Sequence, residues 1–197
     1  MKTTHQIAAI TAALILSVAG TSASAQTALA GVNLTAAASV MVGGAPMLPT
    51  KDIIDNAVNS KDHTTLVAAV KAAGLVDTLK GPGPFTVFAP TNAAFAALPA
   101  GTVDTLLKPE NKPALTKVLT YHVVSGKMDA ATILKAIDAG GGKAKLTAVS
   151  GGTLTASKSG STIMVTDESG GMAHVTIGDV VQSNGVIHVV DKVLLPK

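Results

Sequence analysis

The sequence predicts an α+β fold in a single domain, because helical and strand-like patterns occupy different halves of the chain. Apolar residues recur with helical spacing over residues 50–140, whereas residues 143–190 contain short β-branched segments separated by glycine-containing turns. One early strand, Phe85–Ala89, lies within the helical half. Segregated helices and strands are typical of α+β domains, whereas an α/β domain would alternate them along the chain.

Composition excludes several classes of protein. The 197 residues include no cysteine, arginine or tryptophan, and the aromatic residues are Phe85, Phe88, Phe95 and Tyr121. Without cysteine, the chain has no disulfide framework, thiolate zinc site, iron–sulfur cluster or cysteine nucleophile. The scarcity of rings and the lack of guanidinium groups argue against nucleic acid as a partner. The 47% of hydrophobic residues predict a core of small and branched aliphatic side chains.

The first 25 residues have the pattern of a cleaved export signal. Lys2 precedes an apolar run, Ile7–Val18, and Ala23–Ala25 supplies the small residues of a cleavage site. This run is shorter than the roughly twenty residues that a membrane-spanning helix needs. We therefore predict a signal peptide over residues 1–25, no membrane span after cleavage, and a mature protein in the periplasm or outside the cell.

Two further segments complete the predicted organisation. Residues 26–48 are rich in Ala, Gly, Val and Ser without a clear period, which predicts a flexible linker. The ordered domain is predicted to span residues 49–197. Its first helix has Thr50 as candidate N-cap, and its second follows Asp62 and ends at Gly74.

The middle of the chain predicts two strands among further helices. Phe85–Ala89 is aromatic and β-branched and is bounded by prolines, as a buried strand would be. Thr91 and Asp129 are candidate N-caps of later helices. Residues 112–120 are predicted to be helical, and Tyr121–Val124 is predicted to be a strand.

The second half predicts strands joined by tight turns. Asn184-Gly185 is the strongest hairpin signal in the chain, and Val186–Val190 would follow it as a strand. His188 alternates with Ile187 and Val189, which is typical of a hydrogen-bonded histidine within a sheet. The earlier strand-like segments are Leu146–Val149, Gly152–Ala156, Thr162–Thr166, His174–Ile177 and Gly178–Gln182.

The sequence contains no catalytic signature, phosphate loop or metal-ligand spacing that we recognise. The histidines outside the predicted signal, His63, His122, His174 and His188, are widely spaced, and single histidines are more often structural than ligating. We therefore predict a protein that is not an enzyme, with no catalytic residue, no metal and no cofactor.

Two long motifs and a residue pair resemble the fasciclin domain family. The first motif is Thr86–Phe95, the second is Asn184–Pro196, and the pair Tyr121-His122 lies between them. The family has a Thr-Val-Phe-Ala-Pro-Thr-Asp-x-Ala-Phe box, a Tyr-His pair and a closing box like Asn-Gly-x-Ile-His-x-Val-Asp-x-Val-Leu-x-Pro in the same order. The resemblance covers residues 49–197.

This resemblance implies a wedge-shaped β-sandwich flanked by helices, with a role in cell adhesion or in the cell envelope or matrix. The Tyr-His pair of animal members has been implicated in cell-surface binding, which makes Tyr121 and His122 candidate binding residues. The alternative is that both side chains are buried and hydrogen-bonded within the core.

One position departs from the family pattern. Asn92 stands where the family usually has Asp, and the family's Asp can pair with the His of the Tyr-His pair. The resemblance therefore implies a structural polar pair between His122 and Asn92. Because an amide is uncharged, this contact would depend less on pH than one with a carboxylate.

Two functions from different classes follow. The first is a secreted, non-enzymatic fasciclin-domain protein that contacts a protein, cell surface or matrix. The second is a periplasmic carrier of a small apolar ligand, because a domain rich in aliphatic residues can contain an apolar pocket. The sequence identifies neither the partner nor the oligomeric state.

Overall fold

The structure, a computed structural model, describes residues 39–99 and 101–197. The predicted signal peptide and most of the predicted linker lie outside the described residues. The elements of the first half are β1 (Val40–Val42), β2 (Ala45–Met47), α1 (Ile53–Ala57), α2 (Thr64–Ala73), α3 (Val76–Lys80), β3 (Phe85–Pro90), α4 (Asn92–Ala96), α5 (Thr102–Leu107) and α6 (Lys112–Tyr121).

The second half contains one helix and most of the main sheet. Its elements are β4 (Val123–Ser125), α7 (Ala130–Ala139), β5 (Lys143–Thr147), β6 (Thr153–Ser159), β7 (Thr162–Thr166), β8 (Met172–Gln182) and β9 (Gly185–Val190). This separation of helices from most strands confirms the predicted α+β class.

The main sheet has seven strands in the order β4-β3-β9-β8-β7-β6-β5. Its pairs are antiparallel except for β3 and β9, which run parallel and bring the two long sequence motifs side by side. The two ends of the sheet meet, because Val124 of β4 forms a bridge with Ala148, one residue beyond β5. The sheet is therefore nearly closed on itself.

Strands β1 and β2 form a separate hairpin within the segment predicted to be a linker. Val42, Ala45 and Met47 are buried in the hydrophobic core, and the amide of Lys61 donates to the carbonyl of Gly43 at the turn. Gly43 has a φ of +58°, and a Cβ there would collide with Ser60. Because alternate hairpin residues bury apolar side chains, the linker prediction is wrong for residues 40–47.

Helix boundaries largely follow the predicted capping residues. The side chains of Thr91 and Asp129 accept hydrogen bonds from backbone amides three residues further on, as predicted. At the first helix, however, Asp52 is the N-cap and Thr50 is not. Gly74 ends α2 in a left-handed conformation with a φ of +73°.

Strands β8 and β9 differ in detail from the prediction. The predicted segments 174–177 and 178–182 form one strand, β8, whose register with β9 is irregular. Asp179 lies within the irregular stretch and has a φ of +56°. The turn consists of Ser183 and Asn184, because Gly185 is already the first residue of β9. A side chain at Gly185 would collide with the backbone of Phe85 on the parallel strand.

Two clusters of buried side chains fill the fold. The first core lies among the β1–β2 hairpin, helices α1–α6 and one side of β3 and β9, and it includes Val42, Ile54, Val70, Phe95, Leu119 and Ile187. The second core lies between α7 and the inner face of the sheet, and it includes Phe88, Tyr121, Ile137, Leu154, Val165 and Val190.

Candidate functional site

The candidate binding residues Tyr121 and His122 are both buried. The exposed fraction is 0% for Tyr121 and 2% for His122. Helix α6 extends through Tyr121 and has His122 as its C-cap, so the strand predicted at this position begins only at Val123. Neither ring is available to a surface partner, and the structure therefore favours the interpretation that both are core residues.

The Tyr121 hydroxyl joins the start of β6 to the loop between β7 and β8. It donates to the carbonyl of Thr153 at 2.9 Å and accepts from the amide of Glu168 at 3.0 Å. Gly152 packs against the ring so closely that a Cβ would clash with it. Burial raises the pKa of the phenol, so the neutral hydroxyl keeps both bonds. These contacts give Tyr121 a structural role.

The His122 ring fixes the backbone of the C-terminal segment. Its Nε2 accepts from the amide of Leu194 at 2.9 Å, and its Nδ1 lies 2.8 Å from the carbonyl of Val118. This pattern requires the neutral tautomer with the proton on Nδ1. Burial lowers the pKa of His122 to about 4, so the ring is neutral at pH 7.

The predicted pair between His122 and Asn92 does not form. The Asn92 side chain accepts from the amide of Thr65 at 3.0 Å and donates to the carbonyl of Lys61 at 2.8 Å. It therefore ties the start of α4 to the start of α2. Because backbone groups satisfy both ring nitrogens of His122, that ring has no need of an amide partner.

His188 is a hydrogen-bonded histidine within the sheet, as predicted. Its ring is buried and stacks on Phe88 with centroids 5.7 Å apart. Its Nε2 lies 2.8 Å from the carbonyl of Met128, and its Nδ1 accepts from the amide of Asp179 at 3.4 Å. Burial lowers its pKa. These contacts explain the ring without any ligand.

A polar surface on the main sheet was not identified from the sequence. Strands β5–β8 direct alternate exposed or half-buried side chains away from the second core, and we call the eight of them that form two complete rows across the four strands the outer face. Strand register arranges them in two rows, Lys143, Ser157, Met164 and His174 in one and Lys145, Thr155, Thr166 and Met172 in the other. The period-2 alternation of the strands could have predicted this face.

The inner face of the same strands has the opposite chemistry. Ala144, Ala156, Val165 and Ala173 form the corresponding inward row, and all four are buried. These small residues allow α7 to approach the sheet. The outer face is therefore partly exposed to solvent, whereas the inner face is used for packing.

The first core contains an apolar cavity of about 40 Å³. The hairpin, helices α1–α3 and α6, and strands β3, β4, β8 and β9 all contribute to its wall. His63 and His122 supply the imidazole rings that line it. The sequence indicated that an apolar pocket could form but not where, because the cavity forms only where elements distant in sequence meet.

The described residues contain neither a metal-binding cluster of His, Cys, Asp or Glu side chains nor a membrane-spanning helix. Within the part of the chain that the structure describes, no group of three or more His, Cys, Asp or Glu side chains is arranged to hold a metal ion. Over residues 39–99 and 101–197, no helix is both long enough and apolar enough to cross a membrane.

Comparison with known proteins identifies the family. The sequence model of the Fasciclin domain matches residues 61–196. The chain is 49% identical over 144 residues to Protein sll1483 of Synechocystis, covering 73% of each chain. It is 35% identical over 145 residues to the cell surface glycolipoprotein MPB83 of Mycobacterium bovis, covering 71% of this chain and 58% of that one. The chain belongs to the fasciclin domain family.

A solved structure has the same fold. A FAS1 domain pair from the insect cell adhesion molecule fasciclin I aligns with a TM-score of 0.68 at 16% identity. The alignment covers 75% of this chain, which spans about half of that structure (52%). The family and fold predicted from the two motifs are thus confirmed.

Proposed function

We propose that the mature protein is an exported, non-enzymatic binding module that attaches to a cell-envelope or matrix partner through its outer face. The observation that carries this proposal is the chemistry of that face. Hydroxyl groups, thioethers, two lysines and the His174 imidazole are spread over four adjacent strands without an acidic residue among the eight. The Asp191 carboxylate lies beside the face, 3.3 Å from Nδ1 of His174. Such a face suits a partner with hydrogen-bonding groups and negative charge.

The buried residues support a surface-based function. Tyr121, His122 and His188 all have hydrogen-bond partners within the fold. A role in adhesion would therefore use the outer face and not the Tyr-His pair. The pattern of the first 25 residues supports export, and a relative described as a cell surface glycolipoprotein supports work at the cell surface.

The alternative of a carrier for a drug-sized apolar ligand has less support. Pockets for such ligands have volumes of roughly 300–1,000 Å³. The cavity in the first core measures about 40 Å³. A ligand of that size would require the elements around the cavity to move apart.

Charge reversal on the outer face tests the proposed surface. Lys143→Glu with Lys145→Glu reverses both lysines of the face, and binding of the mature protein to native envelope fragments is measured by cosedimentation. The matched control is Lys71→Glu with Lys135→Glu, because these lysines are exposed on helices α2 and α7 and the change in net charge is the same.

We expect the face variant to bind about tenfold more weakly and the control to bind like wild type. Equal weakening of both variants would mean that net charge alone determines binding, and this result would contradict the proposed face. Wild-type binding by both variants would contradict it as well. Circular dichroism and melting temperature establish that both variants are folded.

A further inference from the structure

Two methionines and a histidine are neighbours on the outer face. Strand register places Met164 of β7 directly opposite His174 of β8, and Met172 precedes His174 by two residues on the same side of β8. Opposite residues of an antiparallel pair have Cβ atoms about 4.5–5.5 Å apart, and long side chains also reach diagonal neighbours about 7–8 Å away. The two thioethers and the imidazole can therefore converge on one point above the sheet.

These three side chains are accessible to a solute. Met172 is 49% exposed, and Met164 and His174 are half-buried. The second core lies on the other side of the sheet, so neither thioether contributes to its packing. Single exposed apolar side chains are common on protein surfaces, but two thioethers beside an imidazole form a distinct set of electron-pair donors.

A carboxylate holds the histidine in place. Oδ1 of Asp191 accepts from the amide of His174 at 2.7 Å, and the amide of Asp191 donates to the carbonyl of His174 at 3.2 Å. Oδ2 of Asp191 lies 3.3 Å from Nδ1 of the ring. This carboxylate favours the proton on Nδ1, which leaves a lone pair on Nε2. Histidines that bind metals typically have such a carboxylate beside their other ring nitrogen.

The chemistry of the donors selects the metal. Thioethers are soft ligands that favour Cu(I), and imidazole also binds copper. Zinc sites use Cys, His, Asp and Glu, and calcium and magnesium sites use oxygen ligands, so two thioethers suit none of these three metals. The negative charge of Asp191 next to the ring offsets the single positive charge of Cu(I).

The geometry points to a binding site for monovalent copper, in which Met164, Met172 and His174 are the ligands and Asp191 is a positioning residue. The sequence-based prediction of no metal is thereby revised, since it weighed cysteines and histidines but not methionines. The site lies within the outer face, but it needs no envelope partner. Lys143 and Lys145 lie two strands away on β5, so metal binding and the proposed envelope binding are tested separately.

Silver(I) is a suitable probe, because it has the charge and the ligand preference of Cu(I) and does not change its oxidation state. Silver nitrate is titrated into the mature protein at pH 7 without chloride and without envelope fragments. Methionine methyl groups and the ring nitrogens of His174 are followed by NMR. We expect saturation at about one equivalent, with shifts at Met164, Met172 and His174. No saturable shift with silver(I), or the same methionine shifts with zinc(II), would overturn the site.

Leucine variants test the two thioethers. Met164→Leu and Met172→Leu each keep an apolar side chain of similar volume, so both variants should fold. Loss of a partner that orients a ligand typically weakens metal binding by about 10–100-fold, and we expect loss of a ligand itself to weaken it at least about tenfold. Met41→Leu is the matched control, because Met41 is 58% exposed on the separate β1–β2 hairpin. Equal weakening in Met41→Leu, or wild-type affinity in both other variants, would overturn the site.

Two further variants test the imidazole and its carboxylate. His174→Gln removes the ring and should also bind at least about tenfold more weakly, and unchanged affinity would overturn its role as a ligand. Asp191→Asn keeps an acceptor for the amide of His174 but removes the charge, so we expect about tenfold weaker binding and a shift of the ring proton towards Nε2. Unchanged affinity with an unchanged tautomer would overturn the positioning role of Asp191. Melting temperatures without metal establish that the variants are folded.

Discussion

The two cores differ in how completely they are filled and how their buried polar groups are paired. In the second core, the Tyr121 hydroxyl and both nitrogens of His188 have hydrogen-bond partners. In the first core, an apolar cavity adjoins His63, whose Nε2 has none among the described residues. The second core thus has its buried polar groups paired, whereas the first contains an apolar cavity of about 40 Å³ in its interior.

His122 connects the two regions. Its ring lines the cavity of the first core, and its Nε2 accepts from the amide of Leu194, whose side chain belongs to the second core. A change in the protonation of this ring therefore affects the attachment of the C-terminal segment as well as the cavity wall.

The largest effect is expected from a truncation in the second core. Leu154→Ala should lower the free energy of unfolding by about 4 kcal/mol, because Leu154 is fully buried and the closed sheet limits relaxation around the void. Urea denaturation measures the loss. Val67→Ala, at the half-buried wall of the first core, should cost much less. A loss below about 1 kcal/mol for Leu154→Ala would show that the second core is loosely packed.

The second-largest effect is expected in the pH dependence of the unfolding free energy. His122 has a pKa of about 4 in the folded chain and about 6.5 when unfolded. Between these values the unfolded chain binds the proton and the folded chain does not, so stability decreases as pH falls. This ring should account for a loss of about 3 kcal/mol between pH 7 and pH 4.

Denaturation of wild type and His122→Gln at several pH values measures that contribution. The variant should have a shallower dependence, but it should retain a slope because burial also lowers the pKa of His63 and His188. Parallel profiles for the two proteins would contradict a neutral, buried His122.

A smaller effect is expected at the other member of the Tyr-His pair. Tyr121→Phe removes the hydroxyl that bridges Thr153 and Glu168 and should cost about 1–2 kcal/mol in unfolding free energy, because both backbone groups lose a partner. Binding to envelope fragments should not change in the folded variant. Lost binding at unchanged stability would restore Tyr121 as a binding residue.

The smallest effect is expected at Asn92. Asn92→Asp keeps the acceptor for Thr65 and loses the donor to Lys61, which should change the unfolding free energy by less than about 1 kcal/mol. Its stability profile between pH 5 and pH 8 should run parallel to that of wild type. A new slope in that interval would indicate that a carboxylate at this position does reach a histidine.

Local signals in the sequence predicted much of the fold. Thr91 and Asp129 cap the helices that they were expected to cap, because capping depends on residues within one turn. The strand-like segments between glycine-containing turns correspond to strands β5–β9 of the structure. The β1–β2 hairpin was missed, because its strands have three residues each and become stable only by packing on the first core.

The candidate site was less predictable than the fold. The burial of Tyr121 and His122 was one of two alternatives, since the same side chains can be buried or exposed. The pairing of Asn92 with His122 was wrong because several backbone groups competed for both side chains. The cavity at His63 depends on tertiary contacts between helices, the hairpin and the sheet, which no local pattern encodes.

The contact between the two ends of the main sheet has a consequence for association between copies of the chain. Unpaired strand edges can template association between chains. Here the terminal strands of the sheet lie against each other through the bridge between Val124 and Ala148 and the bond from Val149 to Val123. Lys143 and Lys145 also place positive charge on the terminal strand β5. The main sheet therefore leaves little unpaired strand edge at which two copies of the chain could pair.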